Sequence, residues 1–178
     1  AVDIGILIYN TPWMSGGAIR AETFHKMADF EHVVAIKWSP SEGDEYEDIF
    51  KSAHVFNIID NTGQPILNHK LGGRGYVQTT AFACPPHDLK IWELMETGQY
   101  DEAEELYYRI QAPLREFGEK ISKRSGGQAR TNKGLMAVMG YPIGTSRPPS
   151  EALNEEEMGE LERIVDGFEW PVPQQAFR

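Results

Sequence analysis

The strongest constraint on the fold is an alternation that recurs through the first hundred residues. Short runs rich in β-branched and aromatic residues are each followed by a stretch whose apolar positions fall at helical spacing. Val33-Val34-Ala35-Ile36-Lys37-Trp38 is the clearest run, apolar except for one lysine. A parallel strand buried on both faces has this pattern. Ile4 to Tyr9 has the same texture and stops at Asn10-Thr11-Pro12, and His54 to Ile59 and Gly75 to Thr80 supply two more strands. Between them, after Ser15-Gly16-Gly17, the segment from Ala18 to Phe30 sets Ile19, Phe24, Met27 and Phe30 at roughly helical intervals. Glu45 to Ala53 and Pro65 to Leu71 read as shorter helices, and Asp88 to Met95 as a helix introduced by Pro85-Pro86.

Strands alternating with helices predict a parallel sheet with right-handed crossovers, either doubly wound or part of a closed barrel. Four strand-helix units cannot close an eight-stranded barrel by themselves. From Tyr100 onward the texture is helical: Asp101 to Lys123, Thr131 to Met139, and Glu155 to Val165, whose acidic start suits the helix dipole. Pro142 to Pro149 and Trp170 to Pro173 read as connectors. The expected organisation is therefore a sheet-and-helix part over 1–98 and a helical extension over 99–178.

Lys37 stands near the C-terminal end of its strand, where apolar neighbours solvate an ammonium poorly. Desolvation favours the neutral amine, which is the nucleophilic form. The alternative is a strand-end lysine that snorkels to water. Tyr9 ends the preceding strand, and adjacent strands lie about 4.8 Å apart, so its phenol is within reach of the amine as a proton shuttle. Taken alone, Tyr9 reads first as a packing residue with a hydrogen-bonded hydroxyl, and the pair is more informative than either member. In α/β barrels, active sites sit at the C-terminal ends of the strands, and both residues read to that end.

Composition narrows the partner. The 17 basic against 27 acidic residues give a net charge of −10, which opposes attraction to nucleic acid or to an anionic membrane surface. No run approaches the roughly 20 apolar residues a membrane-spanning helix needs. Cys84 is the only cysteine, so no intrachain disulfide forms, and a soluble, reducing, cytoplasmic setting is expected. His25, His32, His54, His69 and His87 lack metal-ligand spacing. Gly72-Gly73-Arg74-Gly75 precedes a strand, whereas phosphate-binding glycine motifs follow one, so it reads as a tight turn. The acidic Glu102, Glu104, Glu105 and Glu155-Glu156-Glu157 clusters read as solvated helix faces.

Three motifs in register carry a family resemblance. Tyr9-Asn10-Thr11-Pro12, then Ala35-Ile36-Lys37 one unit later, then Leu71-Gly72-Gly73-Arg74-Gly75-Tyr76-Val77 resemble the dihydrodipicolinate synthase / N-acetylneuraminate lyase family in order and spacing. Asn132-Lys133-Gly134-Leu135 and Ser146-Arg147-Pro148-Pro149 resemble its C-terminal helical region, so the similarity runs along essentially the whole chain. The implied fold is α/β: the C-terminal half of a (β/α)8 TIM barrel followed by a helical extension. The implied chemistry is a class I mechanism in which Lys37 attacks the ketone of a 2-oxo acid, the iminium serves as electron sink, and Tyr9 relays protons. The same match lines the substrate pocket with Asp60, Asn61, Thr79 and the main chain around Val77. It requires no cofactor and no metal, and it suggests a homo-oligomer, a dimer or a tetramer.

Two departures qualify the match. Members that make lysine precursors carry a carboxylate-gripping arginine two residues after the motif's proline, and Met14 stands there. With Trp13 it makes that side of the pocket apolar, which argues against lysine biosynthesis and for a sugar-acid or aromatic aldolase or a dehydratase. The family's first four strands have no counterpart here, so the other half of the barrel is expected on another chain or segment. An isolated half would expose sheet edges and apolar surface. The leading expectation is a Schiff-base lyase acting on pyruvate or a longer 2-oxo acid. The rivals are a non-catalytic barrel fragment or pseudoenzyme that binds a ligand or partner, and a metal-dependent aldolase.

Overall fold

The computed structural model describes residues 3–14, 18–124, 128–141 and 143–170. Ser15-Gly16-Gly17, Pro142 and the end of the Trp170 to Pro173 connector thus lie outside the described residues. The chain forms two compact units, one ending at Gln78 and the other beginning at Thr79.

The first unit alternates as the apolar runs predict: β1 (Ile6–Tyr9), α1 (Ala21–Lys26), β2 (Val33–Trp38), a 3-10 helix (Tyr46–Ser52), β3 (Asn57–Asp60), α2 (Pro65–Lys70) and β4 (Gly75–Tyr76). All neighbouring strands pair in parallel, in the order β1-β2-β3-β4. Phe24 from α1, Ile49 from the 3-10 helix, and Ile36, Trp38 and Ile58 from the strands are fully buried together. By strand alternation, Ile8, Ile36, Trp38, Ile58 and Asp60 share this helix-covered face, and Leu7, Tyr9, Ala35, Lys37, Asn57, Ile59 and Gly75 share the other.

Three elements differ from the sequence reading. The helix expected over Ala18 to Phe30 is confined to Ala21–Lys26. β3 begins at Asn57 rather than His54, because the Val55 and Phe56 amides both donate to Ser52 O at 3.0 Å and prolong the preceding helical turn. β4 stops at Tyr76, and Thr80 instead opens the short helix α3 (Thr80–Ala83).

β1 is not buried on both faces as its apolar run suggests: Leu7 is 46% exposed and Tyr9 44%. β1 stands at an edge of the sheet, with β2 as its partner strand among the described residues.

In the second unit, α3 and α4 (Pro85–Glu96) precede the long α5 (Tyr100–Ser122), α6 (Gln128–Val138) and α7 (Glu155–Asp166). Its core joins Cys84, Ile110, Phe117, Ile121, Leu135, Leu161 and Val165. A capping box at Asn154 and Glu157 starts α7. The Glu157 carboxylate also accepts from Arg124 Nε and Nη2, both at 2.8 Å, and from the buried Arg130 at 3.3 Å. The Arg124 hydrogen bonds are the main reason its carboxyl is held below the usual carboxylate range. Gly134 of the Asn132-Lys133-Gly134-Leu135 motif is explained by packing, since a Cβ there would overlap Leu153.

Candidate active site

Parallel pairing sets Tyr9 directly beside Lys37, and Lys37 beside Ile59, which pairs with Gly75. These residues form one row across the open face. The Lys37 ammonium lies over the Tyr9 ring, 3.8 Å from its centroid. The contact is of the cation–π type. Lys37 is half-buried, so the apolar strand encloses it less completely than its composition suggests.

The phenol oxygen is held from a third strand. Asn61, the residue after β3, donates from Nδ2 to Tyr9 Oη at 3.3 Å and to Ser39 Oγ at 3.1 Å. An accepted hydrogen bond leaves the Tyr9 O–H itself able to donate to a ligand. Beyond Tyr9, the Trp13 ring stands edge-on at 6.1 Å between centroids. Lys37, Tyr9 and Asn61 of the expected site are thus brought together at the C-terminal ends of three adjacent strands.

Asp60 is not part of this group. Alternation turns its side chain to the helix-covered face, where it is 1% exposed. Its carboxylate accepts from Tyr46 Oη at 2.9 Å, from Thr62 N at 2.9 Å and Oγ1 at 2.8 Å, and from Gln64 N at 2.8 Å. These bonds fix the loop after β3. Burial first, and the Asp60 charge second, push the Tyr46 phenol far above its usual range, so it remains a donor. Val77 is exposed, and its amide donates to Asp60 O at 3.0 Å. Thr79 falls in the second unit, at the N-terminus of α3.

Sequence reasoning missed the residues that hold the site's frame. Asn10 is fully buried: Nδ2 donates to Ser39 O at 2.7 Å, Ile19 O at 3.0 Å and Ser41 Oγ at 3.2 Å, and Oδ1 accepts from Ile19 N at 3.0 Å. It ties the β1 loop to the β2 loop. Its signal was an asparagine at the end of an apolar strand, a place where a buried amide must be fully paired. Asn68 does the same for β3 and β4, donating to Gly75 O at 2.9 Å and Ile58 O at 3.4 Å. Among the described residues no cluster of histidine, cysteine or carboxylate side chains could hold a metal ion. No helix among them is long and apolar enough to cross a membrane.

The model of the dihydrodipicolinate synthetase family matches residues 1–167. The chain belongs to that family. A 4-hydroxy-tetrahydrodipicolinate synthase from Methanospirillum hungatei is 21% identical over 173 residues, which are 94% of this chain and 57% of the relative. The chain therefore spans a little over half the length of that relative. The crystal structure of dihydrodipicolinate synthase from Thermotoga maritima matches with a TM-score of 0.78 at 19% identity, over 94% of this chain and 57% of the other. A 2-keto-3-deoxygluconate aldolase from Sulfolobus matches with a TM-score of 0.74 at 21% identity, over 92% and 53%. At these identities the structural likeness carries the fold alone, that of part of a barrel.

Proposed function

We propose that the protein is a Schiff-base-forming lyase, an aldolase or dehydratase acting on pyruvate or a longer 2-oxo acid. The observation that carries this reading is the adjacency of Lys37 and Tyr9 at the C-terminal ends of paired strands, within a family of lyases. Lys37 Nζ adds to the C2 carbonyl, the carbonyl oxygen departs as water, and the resulting iminium accepts the electron pair released when a bond to C3 or its substituent breaks. Tyr9, oriented by Asn61, moves the proton between the substrate hydroxyl and solvent. Asn61 and the Val77 main chain line the substrate site, and the family resemblance adds Thr79 as a further lining candidate. Asp60 acts through the loop it braces.

In this reading residues 1–98 supply the second half of the barrel and 99–178 a helical extension. The exposed Leu7 and Tyr9 support four further strands covering the open face, on the same or another polypeptide, and a homo-oligomeric assembly. The test is a turnover assay with a panel of aldol and 3-deoxy 2-oxo acids, read as pyruvate release for aldol cleavage and as the dehydrated 2-oxo acid for loss of water. Lys37→Ala should abolish turnover, and Tyr9→Phe should slow it by about 10² to 10⁴, the usual contribution of a positioned acid-base group. Turnover unaffected by Lys37→Ala would sink the Schiff-base reading.

A further inference from the structure

Three aromatic or sulfur-bearing side chains stand exposed at the end of β1 and in the loop that follows it. Tyr9 is 44% exposed, and Trp13 and Met14 are 60% exposed each. Singly exposed apolar residues need no explanation, but an indole packed edge-on against the Tyr9 ring, which itself contacts the Lys37 amine, forms an apolar surface that a ligand can cover. The local chain holds them there: Met14 N donates to Thr11 O at 3.0 Å, closing a turn that follows directly from β1. The Tyr9 ring contacts both the Lys37 amine, 3.8 Å from its centroid, and the Trp13 ring, 6.1 Å between centroids, so the indole stands one ring away from the reacting atom. A substituent a few bonds beyond the imine carbon is long enough to cover that separation. Trp13 and Met14 offer it a flat π surface, a polarisable sulfur and a single N–H donor. That set suits an aromatic ring and offers a second carboxylate no cation.

We propose that Trp13 determines specificity, and that the 2-oxo acid bound at Lys37 carries an aromatic substituent that packs against the indole. The inference rests on the Schiff-base reading of Lys37. Its test is borohydride trapping at Lys37, read by peptide mass, over a range of concentrations of 2-oxo-4-phenylbutanoate, pyruvate and a polyhydroxylated six-carbon 2-oxo acid. The half-saturating concentration for the phenyl compound should be about tenfold below that of either other acid, the size of one good aromatic contact. Trp13→Ala should erase that preference, and Trp13→Phe should restore most of it. Equal half-saturation for all three acids, tighter binding of the polyhydroxylated acid, or a phenyl preference that survives Trp13→Ala would overturn the proposal while leaving the nucleophile assigned. Absence of any Lys37 adduct would overturn both.

Discussion

Gly73→Ala is the substitution whose cost can be worked most directly from the structure. An added Cβ at this position would overlap Nδ2, Cγ and Oδ1 of Asn68, and no atom outside that side chain is among its three nearest neighbours. Asn68 is fully buried, and its amide holds Gly75 O at 2.9 Å. It has no free space to retreat into. Forcing the methyl in costs about 1–3 kcal/mol as overpacking. Displacing the amide from Gly75 O costs about another 1 kcal/mol as a lost hydrogen bond. The single variant should therefore lose about 3 kcal/mol. Asn68→Ala alone should lose about 2 kcal/mol, because it leaves the β4 carbonyl without its donor. In the double variant the methyl meets no amide, so the total should stay close to that of Asn68→Ala. That is a coupling of about 3 kcal/mol between neighbours, well above what independent sites give. Urea unfolding followed by far-UV circular dichroism, with the midpoints compared at constant slope, measures all three. Costs that simply add would refute this account of the glycine motif, and with it the role given to Asn68 in holding β4 to β3.

Further outcomes follow from the same contacts. Asp60→Asn should lose about 2–3 kcal/mol of stability in the same assay, because a buried carboxylate accepting four hydrogen bonds is replaced by a group with half the acceptor capacity. An unchanged midpoint would return Asp60 to the substrate site. Asn61→Ala should lower turnover about tenfold by releasing the Tyr9 hydroxyl, with a smaller change in KM, and an effect on KM alone would give Asn61 a binding role instead. Glu157 has its folded-state pKa held below its unfolded value, chiefly by Arg124, so its stabilisation is present above the ordinary carboxyl range and is lost as pH falls through the lowered value. Glu157→Gln should flatten the acid limb of the stability curve, and an acid limb identical to the parent's would count against the pairing.

How much of this was legible in the sequence depended on whether a one-residue error mattered. β2 runs from Val33 to Trp38 as its apolar composition predicts, since a continuous run of such residues has one comfortable place in a parallel sheet. Lys37 and Tyr9 were legible for the same reason, each marking a strand's C-terminal end. Asp60 and Asn61 were not separable, because alternation sends neighbours to opposite faces and the end of β3 could not be fixed to within one residue from composition. Val55 drew the start of β3 forward by its β-branched side chain, while its amide belongs to the preceding helical turn. Thr79 and Thr80 likewise suggest strand by propensity, yet Thr80 begins a helix. Asn10 and Asn68 organise the loops through bonds to residues distant in sequence, and sequence pattern carries no sign of such partners.

The central claim is that Lys37 is the nucleophile, and reduction by borohydride in the presence of pyruvate tests it most directly. Peptide mass mapping should find the reduced pyruvate adduct on the peptide containing Lys37, and should find none in the Lys37→Ala variant. An adduct spread over surface lysines, or none with pyruvate and a panel of longer 2-oxo acids, would contradict the account.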